Sequence, residues 1–148
     1  MKSDLALMID DIKLNIRVGI IFKYHDMVLI EVPRKEGWNS VIPGGRVKID
    51  ELCVDAIKRE IKEEMNFDLR DEKITFLKHI ESFFAFDDTI FHEFFFVYKY
   101  DVDEEDYKIL KTIEENQDNH KTDYIFCRYD EFDKYNLLPL EVRDIIKE

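Results

Sequence analysis

Short apolar runs separated by polar punctuation dominate this chain. Arg17–Phe22 and Met27–Val32 are rich in Val, Ile and Leu and predict two strands. Tyr24-His25-Asp26 between them predicts a hairpin turn, without the Asn-Gly signal such turns favour. Pro33–Ser40 is a polar loop with Arg34, Lys35 and Gly37, and Val41-Ile42 is too short to define an element. The period then lengthens: Val54, Ile57, Ile61 and Met65 recur at helical spacing. This predicts a helix from an Asp50 N-cap to about Met65, closed by Asn66 as a left-handed C′ residue. Ile74–Phe86 and Ile90–Tyr100 are aromatic and β-branched, and predict a second hairpin turning at Asp87-Asp88-Thr89. Asp101–Lys121 is acidic, with a short helix around Tyr107–Ile113, before a strand over Tyr124–Tyr129. Pro139 introduces a terminal helix carrying Leu140, Ile145 and Ile146. One long helix among five or six strands is an α+β layer architecture, read as one domain over 1–148 without a linker.

Composition narrows the function. Hydrophobic residues make up 45% of the 148 residues, which excludes disorder as a description of the whole. The net charge is −12, so the chain has no general attraction for nucleic acid. An anionic ligand must therefore be held by something other than net charge, and divalent cations are the obvious means. No apolar run approaches the roughly 18–20 residues that span a bilayer. Met1-Lys2-Ser3-Asp4 lacks a signal-peptide pattern, and Cys53 and Cys127 have no metal or redox spacing, so the expectation is a cytoplasmic protein with reduced thiols. Only four glycines and three prolines occur, and Pro43-Gly44-Gly45 gathers three of those seven at one place. That concentration is the first functional pointer.

The second lies on the long helix. Glu60, Glu63 and Glu64 share the flank beside its apolar stripe, and Arg59 stands four residues before Glu63. Three carboxylates this close repel one another unless they are solvated or share divalent cations. Magnesium takes a few protein carboxylates and fills its octahedron with water and phosphate oxygens, so the same cluster would recruit a polyphosphate. The frame Gly45-x5-Glu51-x7-Arg59-Glu60-Ile61-Lys62-Glu63-Glu64-Met65-Asn66-Phe67 resembles the Nudix hydrolase signature, Gly-x5-Glu-x7-Arg-Glu-U-x-Glu-Glu-x-Gly-U, at eight of nine specified positions. The departure is Asn66 in place of Gly, which keeps access to the left-handed conformation.

The resemblance implies a Nudix-type α/β/α sandwich with a mixed β-sheet and the box helix packed on it. It also implies Mg²⁺-dependent hydrolysis, with Mn²⁺ as substitute, of the pyrophosphate in a nucleoside diphosphate linked to another group, such as a nucleoside triphosphate or nucleotide sugar. Glu60 and Glu64, with the Gly45 carbonyl, match metal-binding positions, and Glu63 a ligand or base. Arg59 matches an orienting ion-pair partner and Glu51 a structural position. The alternative is a Nudix-like nucleotide sensor without turnover, although this chain retains every box carboxylate. The partner expected is a small nucleotide, and dimerisation, common in the family, implies a possible homodimer.

Outside the box the residues leave alternatives open. Glu114, Glu115 and Asp118 precede the last strand and are candidate bases, or a solvated acidic loop. Glu93 alternates with Phe91, Phe95 and Val97, so it points to an apolar face as a buried ion pair or as support for the metal site. Arg17, Arg34 and Lys35 are candidate phosphate contacts or solvated cations. Phe83, Phe84 and Phe86 could stack a base, but their strand spacing beside Ile80 reads as core. Ser82, Phe83 and Phe84 supply neither the proline nor the tyrosine that marks two subfamilies. The four histidines show no metal spacing.

Overall fold

A computed structural model describes residues 2–148. Strands β1 (Ala6–Ile9), β2 (Ile12–Tyr24), β3 (Met27–Pro33) and β4 (Gly44–Arg46) precede helix α1 (Cys53–Met65). β5 (Ile74–Phe86), β6 (Thr89–Asp101), α2 (Glu104–Leu110), β7 (Thr122–Arg128) and α3 (Leu140–Lys147) follow. The sheet runs β5-β6-β2-β3-β7, with β1 and β4 also paired to β2. β2 and β6 are parallel and the other pairs antiparallel, so the sheet is mixed.

β2 and β3 pair only at Lys23–Val28 and Tyr24–Met27, then diverge. The segment from Val41 to Arg46 fills the gap: Gly44, Gly45 and Arg46 pair with Gly19, Val18 and Arg17, and Val41 bridges Glu31. The two glycines therefore sit mid-sheet beneath α1. On the α1 side, Val18, Ile20, Phe22, Tyr98 and Tyr100 pack against Ile57, Ile61 and Met65. Full burial of Ile57 and Ile61 is worth about 1.5–3 kcal/mol each. On the other side, Ile21, Phe95 and Val97 meet Val142, Ile145 and Ile146 of α3. Helices on both faces make the expected α/β/α sandwich.

Several expectations are corrected. β2 begins at Ile12 rather than Arg17, and β1 pairs with it through Asp10-Asp11, both left-handed (φ 49° and 67°), as in a type I′ turn. Asp87-Asp88 does the same between β5 and β6 (φ 50° and 65°). Asp50 is not the α1 N-cap: it sits left-handed at φ 63° in the preceding turn, and the helix starts after Leu52, which offers no side-chain cap. α2 lies three residues earlier at each end than the sequence suggested, because Asp103 and Asp106 form a capping box. Asn66 does close α1 in the left-handed region, at φ 53° and ψ 37°.

Phe83, Phe84 and Phe86 are not core. β5 is the outermost strand, and neither helix layer reaches its end, leaving Phe83 74% exposed. On that α1 side, Leu7, Ile9, Ile12 and Ile90 are exposed too. Phe84 and Phe86 point to the opposite side of the sheet and line a cavity. Cys53 and Cys127 are free thiols.

Candidate functional site

A cavity of about 950 Å³ opens on the α3 side of the sheet. Gly45, Glu60 and Glu64 close one end, Arg17 and Glu93 lie on its floor, and Trp38 stands in its wall. The helical period that buries Ile57 and Ile61 turns Glu60 and Glu64 toward the β4 glycines. A Cβ at Gly45 would land on the Glu60 carboxylate, so the glycine lets this strand's backbone and that carboxylate meet directly, and a larger residue would make the carboxylate move.

Arg59 organises the helix flank. Its Nε and Nη2 donate to the two Glu51 carboxylate oxygens at 2.7 and 2.9 Å, a bidentate fork. Nη1 donates to Glu60 Oε1 at 2.9 Å and Glu63 Oε2 at 3.3 Å, and Nη2 to the Arg46 carbonyl at 2.9 Å. Glu51 Oε1 also accepts from the Lys48 amide, so this residue ties the turn before α1 to the guanidinium. The Arg59 fork holds the Glu51 carboxyl below its ordinary range. Arg59 thus joins Glu51, Glu60, Glu63 and the Arg46 carbonyl around one guanidinium.

Glu64 is different. Its Oε2 is sealed from water without a hydrogen-bond partner, as is the Tyr124 hydroxyl beside it. Burial first, then the charges of Glu31 and Glu60, push its carboxyl up to about 9, against relief from Arg17. Burial raises Glu60 as well, opposed by Arg59. Two half-buried carboxyls that ionise reluctantly, one with an orphaned oxygen, beside a glycine backbone match the hard-oxygen donors a divalent cation takes. Among the described residues no three acidic, imidazole or thiolate groups already converge as a closed metal cage. Magnesium does not require one, because water and substrate oxygens complete its shell.

The other candidates separate. Glu63 is half-exposed on the outer flank, held by Arg59, and does not line the cavity. Arg17 does, 3.7 Å from Glu93 and stacked over Phe95. Arg34 lies outside, donating to Asp123 (2.7 Å), Glu115 (2.8 Å) and the His120 carbonyl, where it clamps the β7 approach to β3. Glu115 is engaged by Arg34 and His120, which hold its carboxyl low, and does not line the cavity. Lys35 sits 4.4 Å over the Trp38 ring.

Sequence reasoning missed Glu31, Asn15 and Trp38, all of which line the cavity. Glu31 is buried and accepts from Asn116 Nδ2 at 3.1 Å and Thr122 Oγ1 at 2.6 Å. A signal was available for Glu31, the one charged residue in the apolar run Met27–Val32, whereas Asn15 alternates with Lys13 and Arg17 and does not stand out.

A mixed sheet between helices, with a glycine-backed carboxylate helix at the end of a deep cavity, defines a loop–helix–loop hydrolase site. The chain belongs to the NUDIX family: the NUDIX domain matches residues 13–147, and the protein is a Nudix hydrolase. Solved structures agree on the fold. A MutT NUDIX hydrolase from Burkholderia pseudomallei is 18% identical with a TM-score of 0.61, over 79% of this chain and 84% of that one. A MutT protein from Bacillus halodurans is 18% identical with a TM-score of 0.64, over 90% and 80%. An Ap4A hydrolase from C. elegans, solved as a binary complex, is 17% identical with a TM-score of 0.57, over 90% and 93%. No curated protein matches the chain.

Proposed function

We propose that the protein uses Mg²⁺, or Mn²⁺ in its place, to hydrolyse the pyrophosphate bond of a nucleoside diphosphate linked to another group, such as a nucleoside triphosphate or nucleotide sugar. The observation that carries this reading is the convergence of Glu60, Glu64 and the Gly45 backbone at one end of the cavity, with Glu64 Oε2 unpartnered. Glu60, Glu64 and the Gly45 carbonyl would hold the ion. Bound there, it supplies charge neutralisation at the bridging phosphates and an acidified water.

The chain's own residues do the rest. Arg59 fixes the Glu60 carboxylate so that it meets its load without reorganising. Arg17, a cation among the lining residues, orients a phosphate oxygen. Glu63, held by Arg59 on the outer flank of α1, would act as base only on a water that bridges it to the ion. Trp38 and Phe86, edge-to-face among the lining residues, would pack against a bound nucleoside.

Purified protein with Mg²⁺ and a panel of nucleoside diphosphate derivatives should release nucleoside monophosphate. Glu60→Gln and Glu64→Gln should abolish release while the fold, followed by circular dichroism, persists. Nucleotide binding without turnover in the parent protein would identify a sensor instead.

A further inference from the structure

Hydrolysis as described leaves part of the cavity floor unused. The parallel register of β2 and β6 places Asn15 beside Glu93, and the β5–β6 register places Ser82 on the other side of Glu93. Asn15 and Glu93 are 3% and 4% exposed, and both line the cavity. Asn15 Oδ1 has no hydrogen-bond partner. The ionic contact of Glu93 with Arg17 Nη1, at 3.7 Å, is longer than a hydrogen bond. Buried acceptors are ordinarily satisfied. Two left short of donors, side by side in a cavity floor, mark where a ligand supplies them.

Their neighbours say what kind of ligand. Two residues along β6 in one direction, Phe91 stacks on Phe84 at 5.0 Å and 14°, and Trp38 meets Phe86 edge-to-face at 5.0 Å. Two residues in the other direction, Phe95 pairs with Arg17, next to the Val18–Gly45 pairing. The floor therefore runs from aromatic rings, through an acceptor pair, to a cation and the carboxylate end. A nucleotide fits that order with its base against the rings and its edge over the acceptor pair, and with its phosphates toward the cation.

We propose that Glu93 and Asn15 read the Watson–Crick edge of guanine, so that the site selects guanine nucleotides; this rests on the hydrolytic reading only for where the phosphates lie. Guanine presents N1–H and N2–H₂ as adjacent donors, which one carboxylate accepts as a bidentate pair, leaving the second N2 hydrogen for the Asn15 carboxamide. Adenine and cytosine set one amino donor beside an unprotonated ring nitrogen, whose lone pair would face the Glu93 carboxylate. Uracil offers one N–H between two carbonyls. A site built from buried acceptors rejects such edges because its own groups would stay unpaired.

The test uses the full chain and the products GMP, IMP, AMP and CMP, which need no turnover. Binding is followed by titration calorimetry and by quenching of Trp38, the sole tryptophan. GMP should bind about 10-fold tighter than IMP, which lacks the 2-amino group, and on the order of 100-fold tighter than AMP, as one and two charge-assisted hydrogen bonds require. Glu93→Gln should bring the GMP-to-AMP ratio to within about 3-fold, and Asn15→Ser should reduce the ratio in the same sense. A variant that merely damages the cavity would weaken all four equally. Parent affinities within 3-fold of one another, a preference for AMP or CMP, or a ratio that survives Glu93→Gln would overturn the assignment. GMP preference without turnover on any nucleotide in Mg²⁺ would uphold the base assignment and defeat the hydrolytic reading.

Discussion

Replacing Arg59 by Met removes the group on which the carboxylate helix is organised. The side chain is 21% exposed and its partners Glu51 and Glu60 only 16% and 13%, so these charges are poorly served by solvent. Five donated hydrogen bonds are lost. They are not additive, because two reach the same carboxylate, and partial exposure screens them. Breaking a buried pair by deleting one partner costs about 3–5 kcal/mol, and the residual exposure favours the lower end, about 3 kcal/mol. At roughly 3 °C per kcal/mol for a domain this size, Tm should fall by about 10 °C. Lys keeps the charge but cannot fork, so Arg59→Lys should recover about half of that loss and little turnover. Thermal unfolding by circular dichroism gives the stability, and nucleoside monophosphate release gives the activity. Glu51→Gln should cost far less in the Arg59→Met background than alone, because its partner is already gone. A Tm loss below about 3 °C, or strict additivity of Glu51→Gln with Arg59→Met, would refute the reasoning.

Other outcomes follow from the same geometry. Gly45→Ala places a methyl on the Glu60 carboxylate and should lower turnover about 100-fold or more, as displacement of a reacting group does, with a smaller change in Tm; near-normal turnover would show that the approach is not needed. Glu64 is raised to about 9 in the fold and ionises near 4.5 when unfolded, so the metal-free fold keeps a proton that the unfolded chain has released. Its stability contribution is full below about pH 4.5 and is lost as pH rises toward 9. Metal-free Tm should therefore decline across that window, Mg²⁺ should raise Tm more at its upper end, and Glu64→Gln should flatten both trends in differential scanning calorimetry. Phe83→Ser should leave stability within about 0.5 kcal/mol, against 3–5 for a core phenylalanine, as read by urea unfolding.

The box helix was legible because two independent patterns coincide on it. The 3.6-residue apolar stripe fixes which face meets the sheet, and the carboxylate spacing then fixes what lies beside it. Asn66 could be read for its backbone conformation alone. Tertiary pairing hid the rest. β1 escaped because its turn uses two left-handed aspartates in a chain with four glycines, so no glycine punctuates it. Arg34 looked like a phosphate contact until Asp123 and Glu115, some 80 residues away in sequence, were brought against it. Phe83 looked like core because strand periodicity reports which side a residue faces, not whether a layer covers that side. Glu31 was lost because the apolar run around it identified a strand without saying that the strand borders a cavity.

The cavity's charge explains how so acidic a protein could accommodate an anion. Glu31, Glu60, Glu64 and Glu93 line it against the cations Arg17 and Arg46, and Arg46 is already 3.8 Å from Asp4. A diphosphate approaching the carboxylate end alone meets acidic side chains and, among the described residues, no cation to offset them beyond Arg17 and Arg46. On the proposed reading, cation and phosphate bind as mutual dependents, each lowering the cost of the other, so their affinities are linked. The Glu93–Asn15 end carries no such dependence, because neutral N–H donors satisfy it. Removing the divalent ion should thus weaken binding through the phosphates while leaving discrimination among bases intact, a separation that a site recognising its ligand by overall charge could not show.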